Sequence, residues 1–162
     1  MARGQAERIM VLVEEILAEK GVTWNELNAI GVGLGPGNFT GIRISVSAAR
    51  GLALGLGVPA IGVNRFDIIE AIATENGLPT VPAPQDKFYV QQIGQAATLL
   101  TREEARALDQ PLLFEPEDQN PATTLARIAA ARLGSDQPRP APLYIKAADA
   151  APPRDAPPRI IP

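Results

Sequence analysis

The chain has 162 residues, 46% apolar and 20% charged, which suits one ordinary domain or two small lobes with a substantial core rather than a disordered segment. It contains neither Cys nor His. Disulfides and thiolate chemistry are therefore excluded, and the commonest neutral-pH base and metal ligand is missing. A formal charge of −3 and 4% aromatic residues supply neither a broad basic field nor base-stacking platforms, so any contact with RNA is expected to be indirect.

Residues 5–20 place Ile9, Leu12, Val13, Ile16 and Leu17 on one helical stripe that Gly21 ends, and Met10 and Val11 widen the apolar face beyond that stripe. The interspersed Arg3, Glu7, Arg8, Glu14 and Glu15 are wrong for a signal peptide, and no run approaches the ~18 apolar residues of a membrane span, so the cytoplasm is the expected location and no membrane contact is expected. Thr23 and Glu26 have capping-box spacing and predict one short turn around Trp24. Residues 29–34 read as a buried strand, and a Gly35-Pro36-Gly37 corner leads to a helix capped by Asn38 or Thr40 and running to about Leu56. A strand over 60–63 and a helix capped by Asn64 and ended by Gly77 complete a helix–strand–helix–strand–helix order. That order implies parallel pairing and an α/β fold.

The stretch 77–84 is Pro-rich and reads as a linker, which divides the chain into an N-terminal lobe (1–76), a reduced second lobe (77–137) and a Pro-rich tail (138–162). In the second lobe, 87–93 reads as a strand, Thr101 and Glu104 cap a short helix, and Asn120-Pro121 with Gly134 bracket a longer one. In the tail only Leu143 to Lys146 reads as ordered.

The Gly-rich corner after the first strand could hold a phosphate on helix amides, with Gly35, Gly37 and Thr40 as the candidate contacts. There is no GK[ST], and no lysine lies between Lys20 and Lys87, so a Walker-type loop is ruled out. The plainer reading is a tight turn in which Gly35 and Gly37 take positive φ and Pro36 stiffens the corner. The helix behind it is apolar nearly all round, and small residues at Ser45, Ala48, Ala49, Gly51, Ala53 and Gly55 would let another helix come close. Composition accounts equally well for two helices that merely cover each other and the sheet.

The segment Gly35-Pro36-Gly37-Asn38-Phe39-Thr40-Gly41-Ile42-Arg43 resembles the GPGSFTGxR hallmark of the TsaB (YeaZ) family, with Asn where Ser is usual, and the likeness runs from Gln5 to about Glu70. The resemblance implies part of an actin-like/Hsp70-like ATPase lobe with a ribonuclease H-like core and no catalytic function, missing the strands with which the family begins. It implies a scaffold in tRNA threonylcarbamoyladenosine modification. Such a scaffold pairs with a TsaD-like transferase or a second copy through its first two helices, is then joined by a TsaE-like ATPase, and meets tRNA only indirectly. Carried over by position, the pairing surface draws on Ile9, Met10, Val13 and Leu17 and on Ile42, Val46, Ala49 and Ala53. No cofactor or metal is expected, because the transferase's metal is held by histidines. The alternatives are a nucleotide-binding ATPase-like protein using the Gly35–Thr40 loop, and a metallopeptidase, for which only scattered carboxylates such as Glu75 and Asp86 exist.

Overall fold

The computed structural model describes residues 4–145. Helix α1 (Gln5–Lys20) ends on Gly21, whose left-handed backbone (φ 64°) lets its own amide and that of Val22 bond back to the carbonyls of Ala18 and Leu17. A 3₁₀ turn, Trp24–Glu26, carries the Thr23–Glu26 capping box. Strand β1 (Ile30–Gly33), helix α2 (Phe39–Leu56), strand β2 (Ala60–Val63) and helix α3 (Arg65–Ile72) follow, and β1 and β2 pair in parallel.

The register of that pair sets large side chains against small ones. Gly31 lies opposite Ile61, Gly33 opposite Val63, and Val32 opposite Gly62. Because successive strand residues face opposite sides, Ile30, Val32 and Leu34 pack on Ile42, Val46 and Ala49 of α2. Ile61 and Val63 pack on the other side with Leu125, Ile128 and Ala129 of a later helix, α5 (Pro121–Ala131). The glycines admit that helix closely: a Cβ at Gly31 would sit 3.0 Å from both Ala129 and Leu125. Arg132, at the end of α5, donates to the Gly62 carbonyl at 2.9 Å and to Asp67 at 2.8 Å, and Asp67 in turn accepts from the amide of Asn64. The expected division assigned α5 to the second lobe. By packing it belongs with the first sheet.

The second sheet has the order β5-β4-β3-β6, from β3 (Leu78–Ala83), β4 (Lys87–Val90), β5 (Thr98–Thr101) and β6 (Leu112–Leu113), with a short helix α4 (Arg102–Arg106) after β5. The expected linker at 77–84 is therefore wrong. Leu78 to Val81 are all buried, at the centre of the sheet. Proline is tolerated there because β6 pairs with β3 only over Leu78 and Pro79, leaving Pro82 beyond that ladder, and the β4 register begins only at Thr80, after Pro79. Strand β4 ends at Val90 rather than residue 93, and α3 ends at Ile72, short of Gly77.

Helix α3 joins the two sheets. Its Ile68 packs with Ile61 and Val63, while Phe66 and Ile69 pack with Val81 and Leu113. Leu143 and Ile145 of the returning chain lie against the second cluster, and the Leu143 amide donates to the Leu34 carbonyl at 2.9 Å. Lys146 and the remainder of the expected tail lie outside the described residues. Among the described residues no helix is long and apolar enough to cross a membrane.

Candidate functional site

The Gly-Pro-Gly corner is built as a structural turn. Gly35 has φ 89°, a conformation that favours glycine, and a Cβ there would also press within 2.5 Å of the Ile42 terminal methyl. Gly37 does not take a positive φ, contrary to expectation; the turn reverses at Gly35 and at a cis Gly35–Pro36 peptide. Arg65 closes the corner from α3. Its amide donates to the Gly35 carbonyl at 2.8 Å and its guanidinium to the Pro36 carbonyl at 3.4 Å, while the same guanidinium forks onto Glu115. Asn38 caps α2, its Oδ1 accepting from the Gly41 amide at 2.7 Å. That amide is one a phosphate would use, and Thr40 stands exposed in the first turn. Among the described residues no buried side-chain nitrogen or oxygen lacks a hydrogen-bond partner, and no group of three carboxylates comes together.

Next to the corner, α1 and α2 pack against each other and leave a groove of about 750 Å³ between them. Ala6, Ile9 and Met10 line it from α1, Trp24 from the turn that follows, and Ile44, Ser47, Ala48, Gly51, Leu52, Gly55 and Leu56 from α2. Beside it α1 exposes further apolar side chains, among them Val11, Leu12 and Ile16, the last 49% accessible. Contiguous apolar surface of this kind marks an interaction site more often than a free surface.

Two features of α2 bear on what the groove accepts. Gly51 lies inside the helix and Gly55 one turn on, in its last turn, and a Cβ added at either would meet nothing within 4 Å. Each costs helix stability relative to alanine, and nothing in this chain's own packing requires them. At the start of the helix, the Arg43 guanidinium carbon lies 3.7 Å from the centre of the Phe39 ring and 5.6 Å from that of Tyr144, and Nε donates to the Tyr144 hydroxyl at 2.8 Å.

The residues expected to form the pairing surface divide between two faces. Ile9 and Met10 line the groove, and Val13 and Leu17 are half-buried along α1. Val46, Ala49 and Ala53 are buried at 3–6% exposure, and Ile42 packs with Val46 and Ala49 under β1. Ile42, Val46 and Ala49 are thus spoken for by the chain's own sheet and Ala53 is buried as well, and the open face of α2 is the neighbouring one, 44-48-51-55. Of the groove residues, Trp24 falls outside the two helices from which the pairing surface was expected, while Arg43, Ile44 and Leu52 fall within them but not among the eight residues singled out. The small residues at 48, 51 and 55, already marked as allowing close helix approach, are the part of this face that the sequence did signal.

The model of the family described as TsaD, tRNA N6-adenosine threonylcarbamoyltransferase, matches residues 1–112. The tRNA threonylcarbamoyladenosine biosynthesis protein TsaB of Escherichia coli is 45% identical over 85 residues, 52% of this chain, and that of Haemophilus influenzae 32% over 96 residues, 56% of this chain. These stretches make up 37% and 41% of the two relatives' lengths, so the chain matches well under half of either. YeaZ from Pseudomonas aeruginosa superposes with a TM-score of 0.68 at 22% identity, covering 88% of this chain and 86% of that one, which establishes a shared fold.

Proposed function

The chain belongs to the family described as TsaD, tRNA N6-adenosine threonylcarbamoyltransferase, and stands within it with the TsaB (YeaZ) proteins; from that premise we propose that it is a non-catalytic scaffold in tRNA threonylcarbamoyladenosine modification. It binds a TsaD-like threonylcarbamoyltransferase through α1 and α2. A TsaE-like ATPase then joins the pair, tRNA is met only through the partners, and the assembly works in the cytoplasm.

The observation that carries this reading is the open apolar groove between α1 and α2. A helix pair that leaves its own apolar faces uncovered while a sheet buries the opposite stripe has the make-up that one side of a helix–helix interface requires, which supports this reading. Gly51 and Gly55 would let a partner's helix reach the α2 backbone, as small residues do at close helix crossings. The absence of His from the chain fits a subunit that leaves metal chemistry to its partner.

Co-purification with the same organism's transferase homologue tests the proposal. Ile44→Asp and Ala48→Asp, each placing a charge in the groove, should abolish the complex while the isolated variants keep a cooperative thermal transition. Leu54→Asp, on a side chain 80% exposed outside the groove, should bind normally. Unchanged capture of the transferase by both groove variants would refute the reading. A charge at Ala49 would not serve, because that side chain lies in the core.

A further inference from the structure

Of the twelve residues lining the groove, Arg43 alone is charged. An exposed arginine ordinarily swings its head group into water, but this one is held: Phe39 lies beneath the guanidinium, Tyr144 flanks it, and Nε is spent on the Tyr144 hydroxyl. The two rings are themselves in contact, with centroids 5.4 Å apart. Tyr144 comes from the far end of the described chain, 101 residues away, and its segment is anchored by the Leu143–Leu34 backbone bond. The Nη1 and Nη2 groups, four N–H donors in all, have no acceptor among the described residues.

Phe39 and Tyr144 line the neighbouring pocket and not the groove, so the guanidinium stands at the groove's end. A docked helix that reaches this end removes water from it, and a guanidinium covered without a counter-charge is strongly unfavourable. Since stacking restrains Arg43 from retreating, the occupant has to supply the acceptor. With Nε engaged, the free edge is the Nη1–Nη2 end, whose two parallel donors match the two oxygens of one carboxylate.

We infer that Arg43 is the specificity-determining charge of the groove, and that the transferase-like partner's docking helix carries an Asp or Glu that accepts end-on from its Nη groups. Phe39 and Tyr144 are positioning residues for that contact. The inference rests on the scaffold reading above and adds to it the chemistry by which the partner is chosen: an apolar helix face bearing one carboxylate.

Calorimetric titration of the full chain with the purified transferase homologue, at low and high salt, tests it. Arg43→Gln should weaken binding roughly tenfold or more and flatten the salt dependence, as truncating one member of a covered charge pair does. Arg43→Lys should recover only part of the loss, having the charge without the fork, and Tyr144→Phe should weaken binding less than Arg43→Gln. Wild-type affinity and salt slope for Arg43→Gln, with Ile44→Asp still abolishing binding, would overturn the inference and leave the scaffold reading intact. Full binding by Ile44→Asp would overturn both. Sedimentation showing the groove closed by a second copy, with no affinity for the transferase, would overturn the choice of partner.

Discussion

Replacing Gly51 and Gly55 together by alanine should move stability and binding in opposite directions. In the free chain an added Cβ at either position meets nothing within 4 Å, so the change acts on helix propensity alone. Replacing Gly51, inside the helix, should stabilise by about 0.8–1 kcal/mol, and replacing Gly55, next to the last helical residue, by less. Neither added Cβ meets a neighbour, so the effects should add to about 1–2 kcal/mol, raising the thermal midpoint by roughly 2–8 °C in a domain of this size. In the complex, the same methyl groups would stand between α2 and a closely crossing helix. Overpacking of that kind costs about 1–3 kcal/mol, which weakens affinity roughly 5- to 150-fold. Scanning calorimetry of the free variant and titration with the transferase homologue read the two arms separately. A lowered midpoint would mean that the chain's own packing fills the groove. A raised midpoint with unaltered affinity would mean that no helix comes close at these glycines.

Gly77→Ala should destabilise the second lobe by about 1–3 kcal/mol, because its Cβ would fall 2.5 Å from the Pro111 carbonyl and 2.8 Å from Leu113; a urea midpoint equal to wild type would contradict this packing. The pH dependence of folding should lie on the acid side. Hydrogen bonds from the Thr23 hydroxyl and amide hold the Glu26 carboxyl below its ordinary range, the Arg102 guanidinium does so for Asp86, and the amide and hydroxyl of Thr101 do so for Glu104. Depressed folded-state values contribute stability that is whole above the unfolded values of 4.5 and 3.8 and is lost as pH falls through the lower folded ones. With no His in the chain, the thermal midpoint should stay level between about pH 5.5 and 7.5 and decline below about pH 4; a slope between pH 6 and 7.5 would refute the assignment.

The local elements were legible wherever a short-range rule applied. Residues 5–20, 39–56 and 121–131 follow helical periodicity with recognisable ends: Gly21 beyond the first, Asn38 before the second, and Asn120-Pro121 opening the third. The Thr23–Glu26, Asn64–Asp67 and Thr101–Glu104 boxes are complete within four residues each. Parallel pairing of 30–33 with 60–63 followed from the intervening helix. The second sheet was legible only in part. Prolines at 79, 82 and 84 suggested a linker, and nothing local revealed that Leu78–Ala83 would sit between β4 and β6.

The candidate site was legible as a pair of helices and illegible as a face. An amphipathic pattern limits which residues can be buried, and this sequence by itself determined that α1 and α2 are apolar on more than one face, leaving open whether they cover only each other and the sheet. Only the tertiary structure decided that Ile42, Val46 and Ala49 turn to β1 and that Ile44, Ala48, Gly51 and Gly55 remain open. It alone brought Tyr144 across 101 residues to hold Arg43 at the groove's edge. The physical reason is range: capping, turn chemistry and periodicity act within a few residues, whereas the face a helix buries is set by which distant strand reaches it first.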